Sequence, residues 1–338
     1  MRKIIDQMFE GLASGPKVYQ PSEFWKQLNE KNVQQLEQSG IANIKRTLAQ
    51  NYFTWVVGLR SPLFKHLASL MKPRDWAAIL KGLPLFSRES GLGFRRFYEL
   101  QIFTRMVWIV AKRIDKQSFL NRLVEPEFGN PFRTYFEDRL ISQDLANSII
   151  ELYSALEAKM PLTNDAFTVC EVGAGYGRNA YTFLSLFSEC KYIIVDIPPA
   201  LYVSQEYISN IFPNKNVMKF RDFSCFDEIA EDFYKADVVF LLPHQSKYIQ
   251  DKSVDYFINI SSFHEMNFDQ VAEYFDIIER ITHGYFYLKQ WKTFDNTDDG
   301  ITISANDYPY KDNWSQIYNR TPATHPQFFE ALIKVDQP

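Results

Sequence analysis

The chain has 338 residues, enough for two domains or for one large domain with an appendage. Hydrophobic residues make up 46% and charged residues 23%, with 29 Phe, 19 Tyr and 6 Trp. This excludes a mostly disordered or collagen-like chain and supplies a sizeable core. The net charge of −4 is unevenly spread: residues 1–150 carry 22 Lys and Arg against 14 Asp and Glu, and residues 151–338 carry 15 against 27. The two regions therefore differ in task, the first either facing something anionic or solvating its helix surfaces with cations.

In chain order, the first 124 residues read as helical. Ser22 is placed to cap a helix bearing Trp25, Leu28 and Leu36, with Gly40 to end it. Leu100, Phe103, Val107, Val110 and Ile114 recur at helical spacing and predict one apolar stripe. The run Glu125–Phe132, EPEFGNPF, holds two prolines and a glycine and cannot continue a helix, so a domain boundary is set between 124 and 125. Ser142 starts a further helix with Leu145, Ile149, Leu152, Leu156 and Met160 on one face. From Phe167 the rhythm becomes strand, turn, helix. The runs FTVCEV, YIIVDI, VVFLL, DYFINIS and YFYLKQW read as buried strands, and amphipathic helices lie between them. That alternation predicts an α/β fold with a doubly wound, mainly parallel sheet behind an N-terminal helical domain. The short run NVMKFRD leaves open which segment is the third strand.

No apolar run reaches the 18 or so residues of a membrane helix, and the N-terminus lacks a secretory apolar stretch. The three cysteines, Cys170, Cys190 and Cys225, have no metal-ligand spacing and read as reduced, buried thiols of a cytoplasmic protein. The negative net charge and the absence of an Asn/Asp-Pro-Pro-Tyr element argue against a nucleic-acid substrate.

The first strand of the sheet ends in Glu171-Val-Gly173-Ala174-Gly175-Tyr176-Gly177-Arg178. Alternate glycines let the backbone turn tightly and approach a ligand at the carboxyl ends of the strands. The next strand ends in Asp196-Ile197, where a carboxylate can accept both hydroxyls of a ribose. Together these predict a nucleoside-containing cofactor. The loop lacks the Lys-Ser/Thr of a phosphate cradle, and its glycines fall as G-x-G-x-G rather than in the dinucleotide pattern.

An acid two residues before the first glycine resembles motif I of class I S-adenosylmethionine-dependent methyltransferases. The blocks EPEFGNP, EVGAGYGRNAY, YIIVDIPPALYVSQEYIS, FLLPHQ, DYFINISSFHEM and YFYLKQW further resemble the sugar O-methyltransferase family over about residues 120–335. The resemblance implies a methyltransferase domain over 125–338 that moves a methyl group from S-adenosylmethionine to a hydroxyl of a sugar or glycan. It implies that the glycine loop, residues 173–178, lies against the methionine part, with Glu171 near its ammonium and Asp196 and Ile197 at the ribose. Residues 1–124 lie outside the resemblance; their excess of positive charge beside an acidic catalytic region predicts a helical cap over the acceptor cleft and a dimerisation region. Two alternatives stay open: an acceptor that is a phenol or other small hydroxylated metabolite, and a non-catalytic protein that binds the cofactor.

A sugar hydroxyl needs a base as the new bond forms. His264 lies just past the DYFINIS strand, at a position resembling the catalytic histidine of plant-type O-methyltransferases, and Glu265 follows it to orient the imidazole or bind the acceptor; a helix-capping histidine is the plainer reading. His244 and Gln245, after VVFLLP, are assigned to the cofactor pocket, and Lys289, Trp291 and Glu125 to the acceptor. Asp295, Asp298 and Asp299 offer the oxygen ligands that Mg²⁺ requires. However, Glu265 stands where such enzymes place an aspartate, so no metal is expected.

Overall fold

The computed structural model describes residues 1–48, 57–84 and 92–335. Residues 49–56 and 85–91 of the expected helical region thus lie outside the described residues. The helices that follow from the N-terminus are α1 (Arg2–Ser14), α2 (Glu23–Ser39), α3 (Pro62–Ser69), α4 (Pro73–Lys81) and α5 (Phe94–Ile114). Ser22 caps α2 by accepting from the Trp25 amide, and Gly40 ends it at φ +70°, a conformation that suits glycine. The predicted stripe on α5 understates its burial. Every residue from Phe103 to Ala111 is buried, so α5 runs through the middle of the helical region instead of lying on its surface. Arg105 is fully buried within it, spending its guanidinium on the carbonyls of Gln101, Gly82 and Tyr135.

A hairpin of β1 (Thr134–Phe136) and β2 (Arg139–Ile141) follows the Pro-Gly break and leads into α6 (Gln143–Ala155), capped by Ser142. The α/β part then alternates β3 (Phe167–Val172), α7 (Arg178–Leu186), β4 (Cys190–Val195), α8 (Ala200–Ile211), β5 (Val217–Met218), α9 (Ala230–Lys235), β6 (Val238–Leu241), β7 (Val254–Ile260), α10 (Phe268–Ile281) and β8 (Thr282–Trp291). A small hairpin of β9 (Thr293–Asn296) and β10 (Ile301–Ser304) precedes β11 (Ser315–Arg320) and β12 (Phe328–Lys334). The eight-stranded sheet has the order β11-β12-β8-β7-β3-β4-β6-β5. It is parallel from β8 to β5, with β12 and β11 added antiparallel at the far edge. The third strand is therefore β6, paired with β4, while Val217–Met218 of the NVMKFRD run is only a two-residue edge strand.

Strand alternation sends side chains to two cores. Val169, Tyr192, Ile194, Ile258 and Tyr287 pack with α6, α7, α8 and the N-terminal helices, and that cluster is continuous with Ile5, Leu36 and Phe103. Cys170, Val172, Ile193, Phe257, Phe286 and Leu288 face the other way, against Val271, Phe275 and Ile278 of α10. Cys170 and Cys190 are buried as expected, but Cys225 is exposed, because in the irregular segment after β5 its neighbours Phe223 and Phe226, and not the thiol, turn to the second core. Among the described residues, no helix is long and apolar enough to cross a membrane.

Candidate active site

Strand β3 lies between β4 and β7, so the loops after β3 and β7 leave the sheet in opposite directions and open a crevice. A cleft of about 1000 Å³ occupies this point. Glu171, Gly173, Ala174, Gly175, Tyr176, Arg178, Asp196 and Ile197, all assigned to the cofactor from the sequence, line it together. Gly177 stands just behind, as the N-cap of α7. The three loop glycines all have positive φ. At Gly173 the requirement is doubled, since a Cβ there would lie 2.5 Å from Ser262 Oγ at the end of β7.

Two carboxylates are fixed by the fold. Asp196 accepts the Gly175 amide at 2.9 Å and the Ile197 amide at 2.8 Å, which ties the two strand ends together. Burial pushes its carboxyl up to about 7 despite those two amides, and the charges of Glu171 and Glu265 act in the same direction. Glu171 accepts from Asn179 Nδ2 at 2.9 Å and the Tyr192 hydroxyl at 2.7 Å, and burial raises it as well. Behind the loop, Glu151 of α6 holds Arg178 and Lys289 together in a buried ion triad. Burial pushes the Glu151 carboxyl up, but the two cations outweigh it and keep it ionised.

Glu265 also lines the cleft. Trp25 Nε1 of α2 donates to its Oε2 at 3.0 Å, and its Oε1 lies 3.6 Å from His264 Nε2. His264 itself is 1% exposed and does not line the cleft; its ring packs on Phe294, with centroids 4.5 Å apart. Its tautomer follows from a chain of hydrogen bonds. Asn259 Nδ2 donates to the Val172 carbonyl, so Asn259 Oδ1 accepts from Gln290 Nε2. Gln290 Oε1 must then accept from His264 Nδ1 at 2.7 Å, which leaves Nε2 as the basic nitrogen facing Glu265. The helix-capping task is met instead by Asn267, which accepts from the Gln270 amide at the start of α10.

The structure does not bring the remaining assigned residues to this cleft. His244 borders a separate open groove with Gly15 and Asp222, and Gln245 is buried, bonding the Leu242 amide and the Arg221 carbonyl. Only Pro243 of that turn reaches the cleft. Lys289 is turned to the other face of the sheet, toward Glu151; the neighbouring Gln290, which alternation points at His264, was passed over. Trp291 packs on Phe328, and Glu125 is buried with Lys45 and Ser142 beside a smaller cavity. Of the acidic run, Asp299 accepts the Glu23 and Phe24 amides at the start of α2 and Asp295 accepts Thr302 Oγ1. Among the described residues, no three His, Cys, Asp or Glu side chains gather to hold a metal.

Sequence reasoning missed the wall supplied by Tyr19, Gln20, Trp25 and Tyr274. The Tyr19 hydroxyl donates to Glu273 at 2.5 Å, and Gln270 Nε2 donates to the Gln20 carbonyl at 2.7 Å. These contacts close the segment before α2 onto α10 across more than two hundred residues of chain, and no local pattern announces them.

No protein-family model and no curated protein matches this chain. Among solved structures, a S-adenosylmethionine-dependent methyltransferase from Aquifex aeolicus is similar at 14% identity and a TM-score of 0.34, over 52% of this chain and 85% of that one. The mitomycin 7-O-methyltransferase MmcR is similar at 11% identity and a TM-score of 0.39, over 82% of this chain and 69% of that one. A geranyl diphosphate methyltransferase in complex with GPP and sinefungin has 12% identity and a TM-score of 0.39, over 56% and 81%.

Proposed function

We propose that this protein is a class I methyltransferase that uses S-adenosylmethionine to methylate a sugar hydroxyl. The observation that carries this reading is the charge of the cleft. Glu171, Asp196 and Glu265 line it, whereas Arg178, the one lining cation among the described residues, turns its guanidinium to Glu151, which it shares with Lys289 behind the loop. Such a cleft repels the phosphates of a dinucleotide or a nucleoside triphosphate and attracts a ligand carrying an ammonium and a sulfonium. Each Asp196 oxygen that accepts an amide keeps a lone pair for a ribose hydroxyl. Glu171 is placed for the ammonium, and the glycine loop lets the backbone approach without Cβ interference.

When bound, the cofactor supplies an electrophilic methyl group on a positive sulfur. The chain's own residues position the acceptor and take its proton. Trp25 and Tyr274 offer aromatic faces to a sugar ring, and Glu265 accepts a hydrogen bond from its hydroxyl. As the oxygen–methyl bond forms and the sulfur–methyl bond breaks, the hydroxyl proton passes to Glu265. His264 Nε2 lies behind that carboxylate, 3.6 Å from its Oε1, to take the proton in turn. The histidine assigned from the sequence thus acts through its neighbour, with Gln290 fixing its tautomer.

Calorimetry tests the cofactor. S-adenosylmethionine is expected to bind, with NAD and ATP much weaker; equal binding of NAD overturns the reading. Mass spectrometry of glycans from cells with and without the protein tests the acceptor: a sugar that loses a methyl group when the protein is absent supports it.

A further inference from the structure

The N-terminal end of α5 presents a surface that the catalytic reading does not use. Phe94 is 68% exposed, Leu80 58% and Leu59 44%. Leu59 and Phe94 lie together at the start of α5, and the chain that follows Leu80 reaches the same end at Pro84. The Leu59 amide and Arg95 both bond Glu99 Oε1, the Tyr98 hydroxyl donates to the Pro84 carbonyl at 2.6 Å, and the Phe94 ring lies 4.7 Å from that of Tyr98. Exposed Arg60, Lys81, Arg95 and Arg96 follow them directly along the chain. Among the described residues, no carboxylate pairs with Arg60, Lys81 or Arg96. Within the described stretches 57–84 and 92–98 the only acid is Asp75, buried against Arg113, and Glu99 just beyond is buried against Arg95.

We propose that this end of the helical region docks on an anionic lipid surface, with Leu59, Leu80 and Phe94 entering the interface and Arg60, Lys81 and Arg96 reading lipid phosphates. Exposed apolar side chains ringed by cations match the two components of such a surface, acyl boundary and negative headgroup. A phosphate backbone alone rewards only the cations. A second copy meeting this patch with its own would bring like charges together. The acid-rich residues 151–338 are repelled by the same surface, so the charge asymmetry also orients the molecule with its helical end down.

The test is sedimentation of the full chain with phosphatidylcholine vesicles, with and without phosphatidylglycerol. Binding is expected only with the anionic lipid and is expected to weaken with salt. The double variant Arg60→Glu/Arg96→Glu is expected to lose about tenfold or more in partitioning, on the scale of charge reversal near a lipid surface. Leu80→Ser/Phe94→Ser, which leaves charge unchanged, is also expected to weaken binding; Lys235→Glu on the acidic region is expected to have no effect. All these positions are exposed, so an unchanged melting temperature certifies the fold of each variant. Absence of binding to anionic vesicles overturns the proposal. So does retention of an RNA oligonucleotide in preference to vesicles, or binding indifferent to Leu80 and Phe94. Cofactor binding measured on the same samples is independent of every one of these outcomes.

Discussion

The two faces of the cleft are built by opposite means. On the sheet side, Glu171, Gly173, Gly175 and Asp196 sit at the ends of two adjacent strands, Asp196 held by backbone amides and Glu171 by the side chains of Asn179 and Tyr192. On the helical side, Tyr19, Gln20 and Trp25 reach the cleft from the far end of the chain, and the side chains of Glu273, Gln270 and Glu265 bond them there. The sheet side is rigid because the fold cannot form without it. The helical side is a separate segment brought up to it, and the acceptor would sit between them. The comparison assigns cofactor binding to the first and acceptor handling to the second.

The sharpest way to break that division is at the residues where the faces meet. Glu265→Gln keeps the shape and the bond from Trp25 but removes the proton acceptor, so turnover is expected to fall by about 10²–10⁴, with cofactor affinity nearly unchanged. His264→Ala is expected to fall within the same range if the pair acts as one. Gln290→Glu sharpens the test, because a carboxylate on Nδ1 stabilises the imidazolium and moves the acid limb of the turnover profile to higher pH. Near wild-type turnover in a folded Glu265→Gln variant would falsify the assignment.

On the sheet side, Asp196→Ala is expected to cost about 1.5–3 kcal/mol of cofactor affinity, the scale of hydrogen bonds to a charged group. Calorimetry measures it, and unchanged affinity would remove the ribose role. The same carboxyl makes a prediction with pH. Its folded pKa of about 7 lies above the unfolded value of about 3.9, so its contribution to stability is present below the unfolded value and lost as pH rises through 7. Asp196→Asn in the ligand-free protein is therefore expected to gain stability relative to the parent between pH 5 and pH 8, by about 1–2 kcal/mol after losing one amide acceptor. Thermal melts at the two pH values check the sign. Cofactor affinity of the parent is expected to rise over the same window, since the ionised form suits a cationic ligand.

The contrast also explains what the sequence could disclose. Strand order near β3, the glycine loop and Asp196 were legible because parallel strands read as apolar runs and the ligand loops follow them directly. Lys289 misled because a polar residue on a strand announces its depth but not its face, and one step along the strand separates an ion partner of Glu151 from the partner of His264. The burial of α5 on all sides was hidden behind a stripe that would serve an amphipathic helix equally well. His244 misled for a third reason: the turn after β6 sends Pro243 inward and the histidine toward Gly15 of the helical region. Trp25 and Tyr19 carried no signal, since their meaning lies in partners on α10 and after β7.

Trp25 gives the finest test, because its indole donates the hydrogen bond that joins α2 to Glu265. Trp25→Phe keeps an aromatic body against the cleft and removes Nε1–H, so the expected loss is that of one hydrogen bond, about 0.5–1.5 kcal/mol. If the bond only anchors the segment, the loss appears in the melting temperature and leaves turnover intact, as Tyr19→Phe is expected to do by releasing Glu273. If it also holds Glu265 in line with the acceptor, turnover falls by roughly threefold to tenfold while cofactor affinity stays constant. Adding Glu265→Gln then removes the effect, since an amide that cannot take the proton gains nothing from being aligned. A Trp25→Phe loss that persists undiminished in the Glu265→Gln background would place the indole on the acceptor itself and uncouple the two faces of the cleft.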